Sequence, residues 1–297
     1  MIMKKVLALF MVLLPLALCA QVRVAKPAER TEKAVVPYDS TKVICEKRIE
    51  LLRGYIGQEF FVIPKTEQLQ KYGYEMTREK KGRISGNIPY EELAEKTLRV
   101  VDATFGGRSK YDSNYYLTLV NESNNDTLYW EYTDSKYRFP FLVLGYKDKF
   151  EKKYKGKPFL FRGVERDDMT DFNTGKSVNL KPGDRWVFEE IIIVPLSGEL
   201  SDVRYLCSNA KGEHVAFYED YIVEKAKMDR LSKKYGQRLC NLALNMKIGI
   251  GMPKELVELA WGKPKSINTS SHGDQWVYGE YGEDCVYFKN GKVTSWN

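Results

Sequence analysis

The histidines set the first limit on the chemistry of this chain, because the sequence contains only two of them, His214 and His272. A serine or cysteine nucleophile of the usual kind needs a general base within hydrogen-bond reach, and imidazole is the commonest such base. His214 opens a predicted strand, and His272 lies in a polar loop, Ser270 to Asp274. Because no local pattern sets either beside a nucleophile, we predict no catalytic residue and a protein that is not an enzyme.

Metal and cofactor chemistry has equally few candidate residues. Asp167, Asp168 and Asp171 could offer carboxylate oxygens to calcium, but Arg166 and the missing loop glycine favour an ordinary solvated loop. The sequence has no phosphate-binding glycine loop and no dinucleotide fingerprint after a strand. We predict no metal and no cofactor. Acidic residues are plentiful, so the alternative function is a cell-wall or glycan hydrolase that uses two carboxylates in a cleft between domains.

The five cysteines fit no C-x-x-C metal or redox motif. Cys19 lies in the predicted leader, and the others are Cys45, Cys207, Cys240 and Cys285. They allow disulfides, with Cys240 and Cys285 the favoured pair because both lie in the C-terminal segment, but small buried hydrophobic side chains explain them equally well. Asp284-Cys285 resembles the nucleophile segment of cell-wall cysteine peptidases, yet no histidine follows it.

Two groups of side chains are candidates for a binding surface. Aromatic residues concentrate around one predicted hairpin, where alternation should turn some of them outward: Tyr111, Tyr115, Tyr129, Trp130 and Tyr132. Lys149, Lys152 and Lys153 belong to a basic segment in which acids alternate with bases, as on a solvated surface. If functional, these lysines would meet anionic glycans or lipid headgroups by Coulomb attraction.

The N-terminus predicts export. Lys4 and Lys5 precede an apolar run that ends at Ala20, as in a secretory signal peptide cleaved before Gln21. The run of about 13 residues is too short to span a bilayer, and no other run approaches that length. We expect a periplasmic protein that binds no nucleic acid. Lipid anchoring through Cys19 is the minority alternative, because bulky Leu18 occupies a position where the lipobox requires a small side chain.

Removing Lys4 and Lys5 with the leader lowers the formal net charge from +7 to a mild +5. The mature chain of about 277 residues is longer than the usual single domain. We divide the sequence into a leader (1–20), a flexible linker (21–40), a helix with a first β unit (41–145), a second β unit (146–222) and a C-terminal segment (223–297).

An internal similarity organises the β-rich part. The segment from Tyr55 to Val62 aligns with that from Tyr154 to Phe161, and comparable strands and tight turns follow each copy. The order of strand, long loop, strand, shorter loop and tight hairpin resembles the SH3-like small barrel over about residues 50–222. The proline-peptide motif of the eukaryotic versions is missing. Two SH3-like units are therefore expected.

The C-terminal segment predicts one helix from Val223 to about Met246, a short helix that starts at Pro253, and three strands with an Asn290-Gly291 hairpin. Gly251-Met252, Gly262-x-Pro264, Trp276-x-Tyr278 and the segment from Tyr287 to Val293 resemble the SmpA/OmlA (BamE-like) domain of envelope proteins, over about residues 240–297. The resemblance implies a non-catalytic domain that binds proteins. This chain is longer than those short lipoproteins, so barrel assembly is not carried over.

Together these patterns predict an α+β chain, mostly β: two SH3-like units followed by a BamE-like domain of two helices and a three-stranded antiparallel sheet. The predicted function is a non-enzymatic secreted binding or scaffold protein of the cell envelope, with envelope proteins or peptidoglycan and anionic glycans as partners.

Overall fold

The computed structural model describes residues 49–79, 87–105, 115–132, 139–163, 169–195, 201–279 and 284–297. The predictions on the leader, the linker, Cys45, Tyr111, Asp167 and Asp168 lie outside these ranges. In the described ranges, no helix is both long and apolar enough to cross a membrane. Antiparallel sheets dominate, which confirms the prediction of a mostly β, α+β chain.

The first unit is an antiparallel sheet of five strands in the order β4-β3-β2-β1-β5. Helix α1 (Ile49–Arg53) precedes it, and the short helices α2 (Glu67–Gln70) and α3 (Tyr90–Leu93) lie between its first two strands. The strands are β1 (Glu59–Val62), β2 (Thr97–Phe105), β3 (Tyr115–Asn121), β4 (Thr127–Tyr132) and β5 (Phe141–Val143). The sheet is not closed, since β4 and β5 lie at its two edges.

The second unit repeats this plan in the strand order β10-β6-β7-β8-β9. Helix α4 (Leu144–Tyr154) precedes it, and a 3-10 helix of three residues (Glu219–Tyr221) comes before its last strand. The strands are β6 (Pro158–Phe161), β7 (Arg185–Val194), β8 (Asp202–Ser208), β9 (His214–Phe217) and β10 (Ile222–Glu224). An eleven-residue helix follows the last strand of each unit at once, α4 after β5 and α5 (Lys225–Tyr235) after β10.

The two units agree residue by residue in strand register. Phe60 on β1 and Phe159 on β6 hold the same place: each pairs with the second strand of its unit on one side and with the last strand on the other. The partners of Phe60 are Leu98 and Val143, and those of Phe159 are Trp186 and Glu224. The aligned segments noted in the sequence therefore occupy equivalent positions.

The irregular positions of the two units coincide as well. The ladder between the second and third strands shifts register after Val100 in the first unit and after Phe188 in the second. At each shift a glycine N–H donates to the carbonyl of that residue at 2.8 Å, from Gly57 and from Gly156. Both glycines have positive φ angles, 87° and 76°, which favour a residue without a Cβ.

The C-terminal unit differs from its prediction in two elements. Instead of one helix from Val223 to Met246, it has strand β10, helix α5 and helix α6 (Gln237–Leu244), because Gly236 at φ 87° ends α5. A fourth strand, β11 (Ser266–Ser270), is added to the three predicted ones, β12 (Gly273–Val277), β13 (Cys285–Lys289) and β14 (Lys292–Trp296). All five residues of β11 are exposed and mostly polar, so they carry no apolar alternation.

Other C-terminal predictions are confirmed. Helix α7 (Lys254–Trp261) begins after Pro253 and ends at Gly262, which has a φ of 81°. Asn290 and Gly291 both have positive φ angles, 52° and 73°, and join β13 to β14.

Adjacent units share their buried cores. Leu142 lies on β5 of the first sheet but packs in the core of the second unit, where Phe61 of the first sheet also contributes. Leu160 of the second sheet packs against the C-terminal core, and Val223 of β10 is buried within it. Each boundary between units is therefore an apolar interface.

Candidate functional site

The aromatic hairpin is mainly core. Leu128, Trp130 and Tyr132 alternate onto the inner face of β4, and Trp130 and Tyr132 are only 4% and 2% exposed. Tyr115 packs against the same core and contacts Phe105 at a ring-centroid distance of 5.2 Å. The prediction of a binding role is therefore wrong for Trp130 and Tyr132. Alternation identifies two faces of a strand but does not say which one is buried.

Tyr129 points away from this core and is half-buried. Its backbone exchanges two hydrogen bonds with Thr77, 2.8 and 3.1 Å long, in an isolated antiparallel bridge. The Thr77 segment therefore pairs with the outer edge of β4.

The lysine segment forms helix α4, which sequence reasoning described only as a solvated charged stretch. Its inner face carries Tyr146, Phe150 and Tyr154 four residues apart, the spacing of one helix face. Phe150 packs edge-on against Phe188 and Tyr205, and the hydroxyl groups of Tyr146 and Tyr205 are hydrogen bonded. Burial, together with the charge of Glu219, raises the pKa of Tyr146.

A polar contact fixes the rotation of α4 about its axis. Glu151 Oε1 accepts the backbone N–H of Ile191 on β7 at 2.8 Å, and Lys147 donates to the same oxygen at 2.5 Å. Together with the aromatic contacts, this bond directs the other side of the helix to solvent.

The outer side of α4 and the turn after it form an exposed basic surface, here called the α4 lysine face: Lys149, Lys152, Lys153, Lys155 and Lys157. Asp148 is the one exposed acid within this stretch. The Lys153 ammonium lies 4.7 Å from the centroid of the Tyr154 ring and the Lys157 ammonium 6.0 Å from it, within cation–π range. The structure thus brings the three predicted lysines together on one surface.

Helix α5 repeats the basic end of α4. Both helices finish in Lys-Lys-Tyr, and Lys234 lies 4.6 Å from the Tyr235 ring centroid, as Lys153 lies from Tyr154. Lysines in a last turn also interact favourably with the helix dipole. Lys234 differs in that it pairs with Glu255 of α7 at 3.5 Å.

A second candidate site, here called the Arg162 cleft, has a volume of about 300 Å³ between the second unit and the C-terminal unit. Its charged lining combines residues that are distant in sequence: Arg162, Asp220, Lys227, Glu255 and Glu258. The guanidinium of Arg162 donates through Nη1 to the Leu259 carbonyl at 2.5 Å. Burial lowers the pKa of Arg162. No sequence motif predicts this cleft, because its residues are distant in sequence and come together only in the fold.

The histidines and Asp171 are structural in their observed contacts. Asp171 accepts the backbone N–H of His214 at 2.7 Å and that of Thr174 at 2.8 Å, and these bonds lower its pKa. The carboxylate that was considered for calcium thus holds a turn against β9. His214 lies 3.6 Å from Glu189, whereas His272 is exposed beside Ser271.

The predicted Cys240–Cys285 disulfide is not formed. Cys240 is a free thiol buried among the helices of the C-terminal core, whereas Cys285 begins β13 and its sulfur accepts from Gln275 at 3.2 Å. Burial raises the pKa of Cys207, which lies in the core of the second unit. The three cysteines that the structure describes, Cys207, Cys240 and Cys285, are thus small buried side chains, the alternative considered for them.

Among the residues that the structure describes, no three histidine, cysteine or acidic side chains are grouped so that they could hold a metal ion. No family model, curated protein or solved structure matches this chain.

Proposed function

We propose that the mature chain is a non-enzymatic, secreted binding or scaffold protein of the bacterial envelope, which contacts anionic glycan through the α4 lysine face. The observation that carries this proposal is the exposure of five lysines on one helix and its following turn. The inner contacts of α4 hold these lysines in a fixed orientation, so their charge forms a defined surface.

The spacing of the lysines makes their attraction additive. Lys149 and Lys153 are four residues apart on one helix, which corresponds to about 6 Å of rise. Charges interact over a screening length of about 8 Å at physiological ionic strength. Neighbouring lysines of this face therefore act together on a polyanion. We take about 1 kcal/mol per lysine, the value for an anionic lipid surface, as the scale of this attraction.

The proposal includes the finer fold. We infer that the first two sheets are SH3-like units and that α6, α7 and the last sheet form a BamE-like domain. The shared strand order and the 3-10 helix before β10 support the first assignment. The helix between Pro253 and Gly262, followed by the antiparallel meander, supports the second. The predicted leader supports a periplasmic location, which is part of the proposal.

Sedimentation of the mature chain with purified peptidoglycan sacculi tests the glycan contact. Replacing Lys149, Lys152 and Lys153 by glutamine should weaken binding by about 100-fold, since three lysines contribute about 3 kcal/mol in total. Raising the salt concentration should also weaken the binding of the parent protein to sacculi. The matched control replaces Lys176, Lys181 and Lys211, which are exposed on the second unit, with the same change of charge.

Equal loss in the two triple variants would show that net charge rather than the α4 lysine face decides binding. A parallel capture of proteins from envelope extract covers the scaffold role. Recovery of neither sacculi nor a specific envelope protein would contradict the proposed function.

A further inference from the structure

We propose that the Arg162 cleft is a binding site for a small zwitterion, of the class of a free amino acid or a dipeptide. This site is separate from the α4 lysine face and goes beyond the proposed glycan contact. It rests on the cavity, on the contacts of Arg162 and on the balance of charges around it.

The cleft is held by direct bonds between two units. Arg162 follows β6 of the second sheet and donates to the Leu259 carbonyl on α7. The next residue, Gly163, donates its backbone N–H to the Leu244 carbonyl at the end of α6, at 2.7 Å. These bonds, together with the partly buried Leu160 that packs against the C-terminal core, join the two walls of the cleft.

Arg162 retains donor capacity beyond its structural bond. A guanidinium carries five N–H donors, and the bond to Leu259 uses one of them. The Nε atom is buried and has no hydrogen-bond partner among the described residues. A partly buried guanidinium with spare donors is suited to a carboxylate, which accepts two parallel N–H bonds.

The remaining charges favour a ligand that carries both signs. Glu255 already accepts from Lys234 and from the Tyr235 hydroxyl at 3.1 Å. That leaves Arg162 and Lys227 on the positive side and Asp220 and Glu258 on the negative side. In the described chain, Asp220, Lys227 and Glu258 form no salt bridge with one another or with other residues.

This balance discriminates against singly charged ligands. A simple anion attracted by Arg162 would also meet two carboxylates, whereas a simple cation would meet the guanidinium and the lysine. A zwitterion brings a carboxylate for the cationic groups, Arg162 and Lys227, and an ammonium for the acidic groups, Asp220 and Glu258. Ile222, Val223 and Leu259 supply apolar lining for a short side chain. A volume of about 300 Å³ lies at the lower end of small-molecule sites.

Calorimetry on the full mature chain with three matched probes tests this inference. The probes are alanyl-alanine, its N-acetyl form, which has lost the ammonium, and its amide, which has lost the carboxylate. We expect the dipeptide to bind and each blocked form to bind at least about tenfold more weakly, because hydrogen bonds to charged groups are the stronger ones. Failure of the dipeptide to bind, or equal binding of a blocked form, would overturn the proposal.

Variants of two other charged residues that line the cleft locate the site without removing the bond of Arg162. Glu258→Gln should weaken binding of the dipeptide and leave binding of the N-acetyl probe unchanged. Lys227→Gln should weaken binding of the dipeptide and leave binding of the amide unchanged. The matched controls are Asp229→Asn and Lys233→Gln, which remove the same charges outside the cleft. If the cleft variants and their controls bind the dipeptide equally, the cleft is not the site. Retained sacculus binding by the cleft variants distinguishes this test from that of the α4 lysine face.

Discussion

Leu142 provides a direct test of whether the first two units unfold together. It belongs to β5 of the first sheet, where it pairs with Phe61, but its side chain is 4% exposed in the core of the second unit. Leu142→Ala removes apolar volume at the boundary between the units. Buried leucine-to-alanine changes cost about 2–5 kcal/mol, depending on how far the surroundings collapse. Because sheet backbone flanks the site, we expect limited collapse and a loss of about 3–4 kcal/mol.

That loss is large against a typical total stability of about 5–15 kcal/mol, and it should lower the midpoint of thermal unfolding by roughly 10 °C. Peptide-level hydrogen exchange then locates the effect. If the units are coupled, Leu142→Ala lowers protection in β2 and β3 of the first unit and in β7 and β8 of the second.

Leu128→Ala is the matched control, since Leu128 is fully buried in the core of the first unit alone. It should lower protection in the first unit at similar cost and affect the second unit less. The coupling argument is refuted if Leu142→Ala leaves exchange in β7 and β8 at the parent level.

Three further predictions concern single contacts. Gly273→Ala should destabilise the C-terminal unit by at least about 2 kcal/mol in denaturant unfolding, since an added Cβ would lie 2.0 Å from the Phe288 carbonyl oxygen and the φ of 136° disfavours a side chain. The hydrogen bond from Lys254 lowers the pKa of Asp274. The stability that this bond contributes is therefore present above the ordinary aspartate pKa and is lost as pH falls through the lowered value. Asp274→Asn should flatten this acid limb of the curve of unfolding free energy against pH. Cys207 should react with a thiol reagent only on unfolding, because burial raises its pKa and excludes the reagent.

Each of these has a control. Gly291→Ala also meets a positive φ, 73°, but the added Cβ has no atom within 4 Å, so it should cost less than Gly273→Ala. Asp229→Asn removes an exposed carboxylate that pairs with Lys225 and should leave most of the acid limb in place. Equal costs for the two glycines, an unchanged acid limb in Asp274→Asn, or rapid labelling of folded Cys207 would contradict the respective prediction.

Strands and turns were predictable from the sequence where local chemistry decides them. Pro253 identified the start of α7, and Asn290-Gly291 identified the last hairpin. The same reasoning missed β11, whose exposed polar residues need no alternation. It also missed the break at Gly236, because apolar spacing continues from α5 into α6.

The candidate sites were predictable only in part. The basic character of the α4 segment was recognised, but the helix was not predicted. Its helical signal is the spacing of Tyr146, Phe150 and Tyr154, and most of the residues between them are charged. The Arg162 cleft joins residues almost 100 positions apart, Arg162 and Leu259 among them. A contact of this kind depends on how the units pack, which no local sequence pattern predicts.

The agreement in register between the first two units also bears on how the chain could have grown. Helix α4 ends the first unit and begins the second. The point at which recombination could exchange whole units therefore lies at a helix end, near Tyr55 and Tyr154, rather than in a loop. A recombination that joins the chain before Tyr55 to the chain after Tyr154 would delete one whole unit. It would also restore an equivalent glycine bond at the seam, that of Gly156 to Phe188 in place of that of Gly57 to Val100. Gain or loss of a unit by unequal crossover would thus leave the joint between units intact.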